Sequence, residues 1–408
     1  MSLQRLTEPS GILELMDDLG QALTINRDAI MMGGGNPAQI PAMQEIWREQ
    51  TQQLLADEAR FGDVLANYDP PVGNPAFLEA MAAFLKRHCG WNVTAKNLAI
   101  TTGGQTAFFY LMNLFSDNGK KILLPLMPEY IGYASQGLRE DIFATQPARI
   151  ERTGPNRFKY RIDFDALEVG DDIGAICVSR PTNPSANVLT DNEIRKLAVL
   201  AEERGIPLII DNAYGLPFPG VIFVDAKPFW NENVIQTLSL SKLGLPGTRT
   251  GIVVANEDLI AKISAINASV GLANNNIGQA LARTLVESDR LSALTQEVIR
   301  PFYVERCQAA ASALDQQLQG VPYALHEPEG AFFLWLWLED LPITSRDLYL
   351  RLKERGVLVV SGEYFFFGLN EDWPHSRQCL RLSYTQPRER VERGIEIIAD
   401  EVKRIYAA

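Results

Sequence analysis

The stretch SLSKLGLPGTRTG, Ser239 to Gly251, holds one amine, Lys242, among small hydroxyl and glycine residues. A guanidinium, Arg249, follows seven positions later. An apolar run precedes the stretch, so the amine falls where a strand ends and a glycine-rich loop begins. Three other chemistry-bearing groups sit at the ends of similar runs. After NLAIT comes Thr102-Gly103-Gly104-Gln105, opening a helical stretch. A helix N-terminus offers free N–H groups and a positive dipole end, and this one would hold a phosphate. After AICVS, Asn183-Pro184 makes a rigid turn that aims an amide at the sheet edge. After IPLII comes Asp211-Asn212-Ala213-Tyr214, with a carboxylate that is costly on so apolar a strand unless it meets a cation or donors.

Singly, each motif also reads as a tight turn, an Asn-Pro loop or a helix cap. Together they describe a phosphate cradle, an anion for a cationic ring, a phenol, an amide and an amine. Neither G-x-G-x-x-G nor G-x-x-x-x-G-K-[ST] occurs, so no dinucleotide or nucleoside triphosphate is indicated. The ligand that fits is a phosphorylated aldehyde with a basic ring nitrogen, pyridoxal phosphate.

These groups need a scaffold that brings strand ends together. From about Asn97 to Ala255, short β-branched apolar runs alternate with helical stretches, the pattern of buried parallel strands in an α/β domain. There, ligands bind beyond the carboxyl ends of the strands. Past a helical stretch near 256–300, GAFFLWLWL, GVLVVSG and CLRLSYT alternate with helices at 345–355 and 387–406, as in a smaller α+β domain. A long helix containing IRPFYVERCQAAASALDQQL bridges the two, and Ile12, Leu13, Leu15, Met16 and Leu19 fit an amphipathic N-terminal helix.

The chain has 408 residues, which predicts two domains. A net charge of −12 argues against a nucleic-acid partner and an anionic membrane surface. Four dispersed cysteines and three scattered histidines predict no disulfide framework and no metal site. The N-terminal stretch lacks the pattern of a signal peptide, and no apolar run reaches membrane-spanning length, so a cytoplasmic protein is expected.

Ser-Leu-Ser-Lys with a downstream Gly-x-Arg-x-Gly, Asn-Pro-Ser and Asp-x-Ala-Tyr, in this order, resembles the class I/II aminotransferases of PLP fold type I. The likeness runs from GGGNPAQIP near Gly35 to CLRLSY around Arg381. It implies a large domain, residues 50–290, with a mostly parallel seven-stranded sheet between helices. Residues 1–49 and 291–408 would form the smaller α+β domain. By the same resemblance, Lys242 binds the cofactor covalently and acts as the base, and Asp211 pairs with the ring nitrogen. Tyr214 and Asn183 reach the ring oxygen, and Tyr130 stacks on the ring. Gly104, Gln105, Ser239, Ser241 and Arg249 surround the phosphate. Arg381, with Gly35 and Asn183, takes the substrate carboxylate, and Tyr68 reaches a neighbouring subunit's phosphate in a homodimer. The family pattern has glycine where Ala186 stands, which puts the local turn in doubt. The Lys242–Arg249 spacing is one residue shorter than in aspartate-type members.

The expected reaction is ping-pong transamination of amino acids with 2-oxo acids. No second cation for a dicarboxylate is evident, and Phe365 and Phe366 belong either to the mouth of the site or to the core. That favours valine or alanine as donor and pyruvate or 3-methyl-2-oxobutanoate as acceptor. Open alternatives are an aromatic or alanine–2-oxoglutarate transaminase and a PLP-dependent lyase.

Overall fold

The computed structural model describes residues 11–26 and 28–408. The first ten residues and Arg27, which the sequence reading places with the smaller domain, lie outside the described residues.

A seven-stranded sheet carries the strand ends that matter. Its order is Leu98–Thr102, Thr250–Val254, Val234–Ser239, Leu208–Asp211, Ile173–Ser179, Lys121–Met127 and Phe143–Pro147. Thr250–Val254 runs antiparallel to both neighbours, and the other six share one direction. The runs IGAICVS, LIID and VIQTLS are almost wholly buried because both faces are covered. On one face Ile122, Ala175, Cys177, Ile209 and Ile235 pack with Leu111 of helix Gly104–Phe115 and Ile263 of helix Glu257–Gly271. On the other, Ile176, Val178, Ile210 and Val234 pack with Leu197 of helix Asp191–Glu203 and Phe77 of helix Pro75–Cys89.

The second sheet has six strands, ordered Val360–Ser361, Cys379–Ser383, Phe333–Leu338, Tyr323–His326, Arg157–Arg161 and Arg149–Gly154. The last two form a hairpin that interrupts the first sheet in sequence yet extends the second. The sequence reading has no strand there, because RIERTG and RFKYR carry too many charges to look buried. Ile30–Met31 pairs in parallel with Val357–Leu358, which ties the N-terminal segment to the later part of the chain. Helix Arg300–Gln317 is the expected bridge, entered through a π turn at Thr295–Ile299 where Pro301 has no N–H to continue an α-helical ladder.

The N-terminal helix α1, Gly11–Ile25, buries Leu15 and Leu19 one turn apart and leaves Leu13 and Met16 exposed. Asp18 fastens it to helix Ser345–Glu354 through Tyr349 Oη and Lys353 Nζ. Helix α2, Pro41–Ala56, buries Trp47, whose indole N–H donates to the Leu243 carbonyl at 3.2 Å, beside Lys242. Among the described residues no helix is long and apolar enough to cross a membrane, and no group of His, Cys, Asp or Glu could hold a metal ion.

Candidate active site

The strand ends open onto one cavity of about 520 Å³. Lys242 lies in the 3-10 turn Leu240–Leu243 that follows strand Val234–Ser239. Its Nζ donates to the Gly35 carbonyl at 2.7 Å and sits 5.2 Å from the Tyr214 ring centroid. Burial, then repulsion from Arg381, brings its pKa down to about 8 against the pull of Asp211. A neutral amine is therefore available near neutral pH.

Asp211 ends the strand Leu208–Asp211 and is buried. Tyr133 Oη donates to its Oδ2 at 2.6 Å, and the Ala213 N–H donates to Oδ1 at 3.0 Å. Burial raises its pKa in spite of these bonds and of Lys242. A carboxylate so placed is stabilised by a further cation inside the cavity. Tyr130 precedes the turn Ile131–Tyr133, and a Cβ on Gly132 would lie 2.2 Å from Tyr130 Cε1, so glycine is needed for the ring to fold back. Tyr214, with its ring against Phe332 and Phe333, is buried, and burial raises its pKa.

At one end, helix Gly104–Phe115 presents its N-terminus beside Arg249, Ser239 and Ser241. Gly103 stands at φ +80°, and a Cβ there would meet Arg249 Nη2 at 2.1 Å. The guanidinium thus lies against Gly103, next to the helix start, and together they suit an anion with several oxygens. Gln105 Nε2 donates to the Gly132 carbonyl at 3.1 Å, linking this cup to the tyrosine turn.

At another end Arg381, on strand Cys379–Ser383, is buried and lies 4.2 Å over the Phe333 ring. It donates from Nη1 to Asn183 Oδ1 at 2.8 Å and from Nη2 to the Gly33 carbonyl at 2.6 Å, while its Nε has no partner. Burial lowers its pKa to about 10, so it is still a cation at neutral pH and has a donor to spare for a carboxylate.

The cavity thus gathers Gly35, Gly104, Gln105, Tyr130, Asn183, Asp211, Tyr214, Ser239, Ser241, Lys242, Arg249 and Arg381. Tyr68 does not line it and is 82 % exposed. Phe365 and Phe366 are core residues packed on Trp335, which removes them from the mouth. The turn at Ala186 forms without the glycine: Ala186 takes φ +62°, and its N–H reaches the Thr182 carbonyl at 2.8 Å. Sequence reasoning missed Tyr133, although Tyr130-x-x-Tyr133 puts a second phenol one turn further on. It also missed Glu129, wholly buried, which accepts from the Tyr130 and Ser179 N–H groups at 3.1 and 3.0 Å.

A fold with a mostly parallel sheet and a lysine, a buried aspartate and two arginines around one cavity defines a class. The chain matches the model of aminotransferase class I and II over residues 30–398 and belongs to that family. It is 48 % identical to the valine–pyruvate aminotransferase of Escherichia coli, over 99 % of this chain and 97 % of that protein. The solved valine–pyruvate aminotransferase of Salmonella typhimurium superposes with a TM-score of 0.90 at 46 % identity, covering 97 % of this chain and all of that one. An aromatic-amino-acid aminotransferase of Thermococcus litoralis is 27 % identical over 92 % of this chain and 88 % of its own.

Proposed function

We propose that the protein is a pyridoxal-phosphate-dependent transaminase exchanging amino groups between valine or alanine and the 2-oxo acids pyruvate and 3-methyl-2-oxobutanoate. The observation that carries the reaction type is the meeting of Lys242, Asp211, Arg249 and Arg381 in one cavity. The near-full-length likeness to valine–pyruvate aminotransferases supports the choice of substrates.

The residues fit the cofactor in charge and shape. Arg249, the N–H groups at Gly104 and Gln105, and the hydroxyls of Ser239 and Ser241 would hold its phosphate. Asp211 would pair with its ring nitrogen, Tyr214 and Asn183 would reach its ring oxygen, and Tyr130 would cover its face. When bound, the cofactor supplies an electron sink for the charge left at the substrate Cα. Lys242, neutral once deprotonated, would take the proton from that carbon. Asp211, which accepts from Tyr133 Oη and the Ala213 N–H, would pair with a cation beside it. Arg381 fixes the α-carboxylate, aided by a planar fork already oriented by Asn183 and Gly33. Of the cations that the described residues place around the cavity, Lys242, Arg249 and Arg381, none remains for a side-chain carboxylate. That favours neutral donors.

A homodimer in the cytoplasm belongs to the same proposal. Exposed Tyr68 supports the first, and four cysteines free of disulfides support the second. The test is a donor screen on purified, cofactor-loaded protein with pyruvate as acceptor. Valine should yield alanine and 3-methyl-2-oxobutanoate, and Lys242→Ala should bind cofactor without turnover. Steady activity with aspartate or glutamate alone, or normal turnover by that variant, overturns the reading.

A further inference from the structure

The polar groups account for two ends of the cavity. A third wall is apolar, and it comes from the far N-terminal part of the chain. Leu15, Met16 and Leu19 of α1 line the cavity together with Met31 and Ile131. Leu15 and Leu19 are held down by packing, whereas Met16 is 62 % exposed overall and reaches the cavity from its rim. Leu19 lies next to Gly33: its Cδ2 is 3.2 Å from where a Gly33 Cβ would stand. The carbonyl of that same Gly33 accepts from Arg381. One residue therefore separates the aliphatic face of α1 from the guanidinium that takes the carboxylate. A 2-substituted acid bound at Arg381 has its side chain one bond from Cα, within reach of this face.

The helix is not loosely laid. Asp18, between Met16 and Leu19, is clasped by Tyr349 and Lys353, and Gly11 abuts Ile131 and Tyr364, with the nearest atoms 3.2–3.4 Å from where its Cβ would be. An aliphatic wall fixed at a set distance from a carboxylate clamp measures the size of the substrate's side chain.

We infer that the α1 face made by Leu15, Met16 and Leu19, closed by Met31 and Ile131, is the site that selects a small branched aliphatic side chain on the donor and the matching 2-oxo acid. This rests on the transaminase reading above. A methylene in an apolar pocket changes discrimination by roughly 10-fold or more. Leu19→Ala should therefore lower kcat/KM for valine about 10-fold while alanine, too short to reach the wall, changes less than about threefold. Leucine should lose less than valine, since the enlarged pocket accepts it. Binding gives a second readout. The unreactive 3-methylbutanoate should bind the loaded variant about 10-fold more weakly, with propanoate nearly unchanged.

Leu19 is buried, so its truncation can loosen the helix. Met16→Ala, at an exposed position, leaves the fold alone and should shift the valine-to-alanine ratio in the same direction by about threefold. Equal losses with every donor, or unchanged ratios in both variants, overturn the inference. Wild-type protein that fails to exchange valine with pyruvate overturns the underlying reading instead.

Discussion

In the proposed reaction Lys242 must be held in place and be neutral often enough to accept a proton. The Gly35 carbonyl holds its Nζ, and its surroundings favour the neutral form. Burial and Arg381 lower its pKa to about 8, and the negative Asp211 limits the drop. A lowered pKa means that neutral amine accumulates above about pH 8, whereas solvent-exposed lysines near the ordinary value of about 10.4 remain protonated there. In cofactor-free protein, modification of Lys242 by an amine-directed reagent should rise with a midpoint near pH 8, followed by peptide mass spectrometry. A midpoint at pH 10 or above overturns this. At this scale much was legible in the sequence. Lys242 and Asp211 could be found because each is a polar group ending an apolar run, Asn183 because of its Asn-Pro turn, and Arg381 through the family resemblance alone. Ala186 could be located as a departure, but its outcome could not. Its left-handed backbone costs roughly 1–2 kcal/mol, and the surrounding hydrogen bonds hold it there. Tyr133 escaped because a phenol in a short turn has no preferred direction until the turn is folded.

The elements act as fixed mounts for these groups. Strand Lys121–Met127 delivers the turn Ile131–Tyr133, and that turn sets two tyrosines to different tasks. Tyr130 lies by the cavity, while Tyr133 points beneath it to Asp211. Tyr133→Phe removes one donor from a buried carboxylate, and a hydrogen bond to a charged group is worth about 1.5–3 kcal/mol. The variant should bind pyridoxal phosphate roughly 10-fold more weakly, measured by quenching of protein fluorescence, with its helical circular dichroism unchanged. Unaltered cofactor affinity would count against a role for this turn in holding Asp211. The central strands were readable because burial on both faces forces continuous apolar runs such as LIID. Strand Phe143–Pro147 and the hairpin at 149–161 were not, since edge strands need pairing partners more than apolar side chains. The apolar wall was equally hidden. Residues 15–19, 31 and 131 become neighbours only through the tertiary fold, and Phe365 and Phe366 looked as suitable until the core claimed them.

At the scale of the whole molecule, the unexplained surface is as informative as the core. Leu65, Tyr68, Val270, Leu272 and Ile277 are all exposed. They lie on two segments that the protein stitches together: Asn276 Nδ2 donates to the carbonyls of Val64 and Asn67, and Asn274 Nδ2 to that of Pro71. Large apolar side chains gathered in one exposed region mark an interaction surface. The region also adjoins the anion cup, because Asn274 Nδ2 donates to the Ile100 carbonyl on the strand that leads into Gly103. A second copy of the chain seated here would bring its Tyr68 close to this copy's cup, which gives that exposed phenol a partner. Leu272→Asp places a charge in the middle of such a contact. The variant should sediment as a monomer where the wild-type chain sediments as a dimer. It should also bind pyridoxal phosphate more weakly, whereas Tyr68→Phe should weaken cofactor binding and leave the dimer intact. A wild-type chain that sediments as a monomer with full cofactor affinity overturns the arrangement. A dimer indifferent to Leu272→Asp moves the interface to another face.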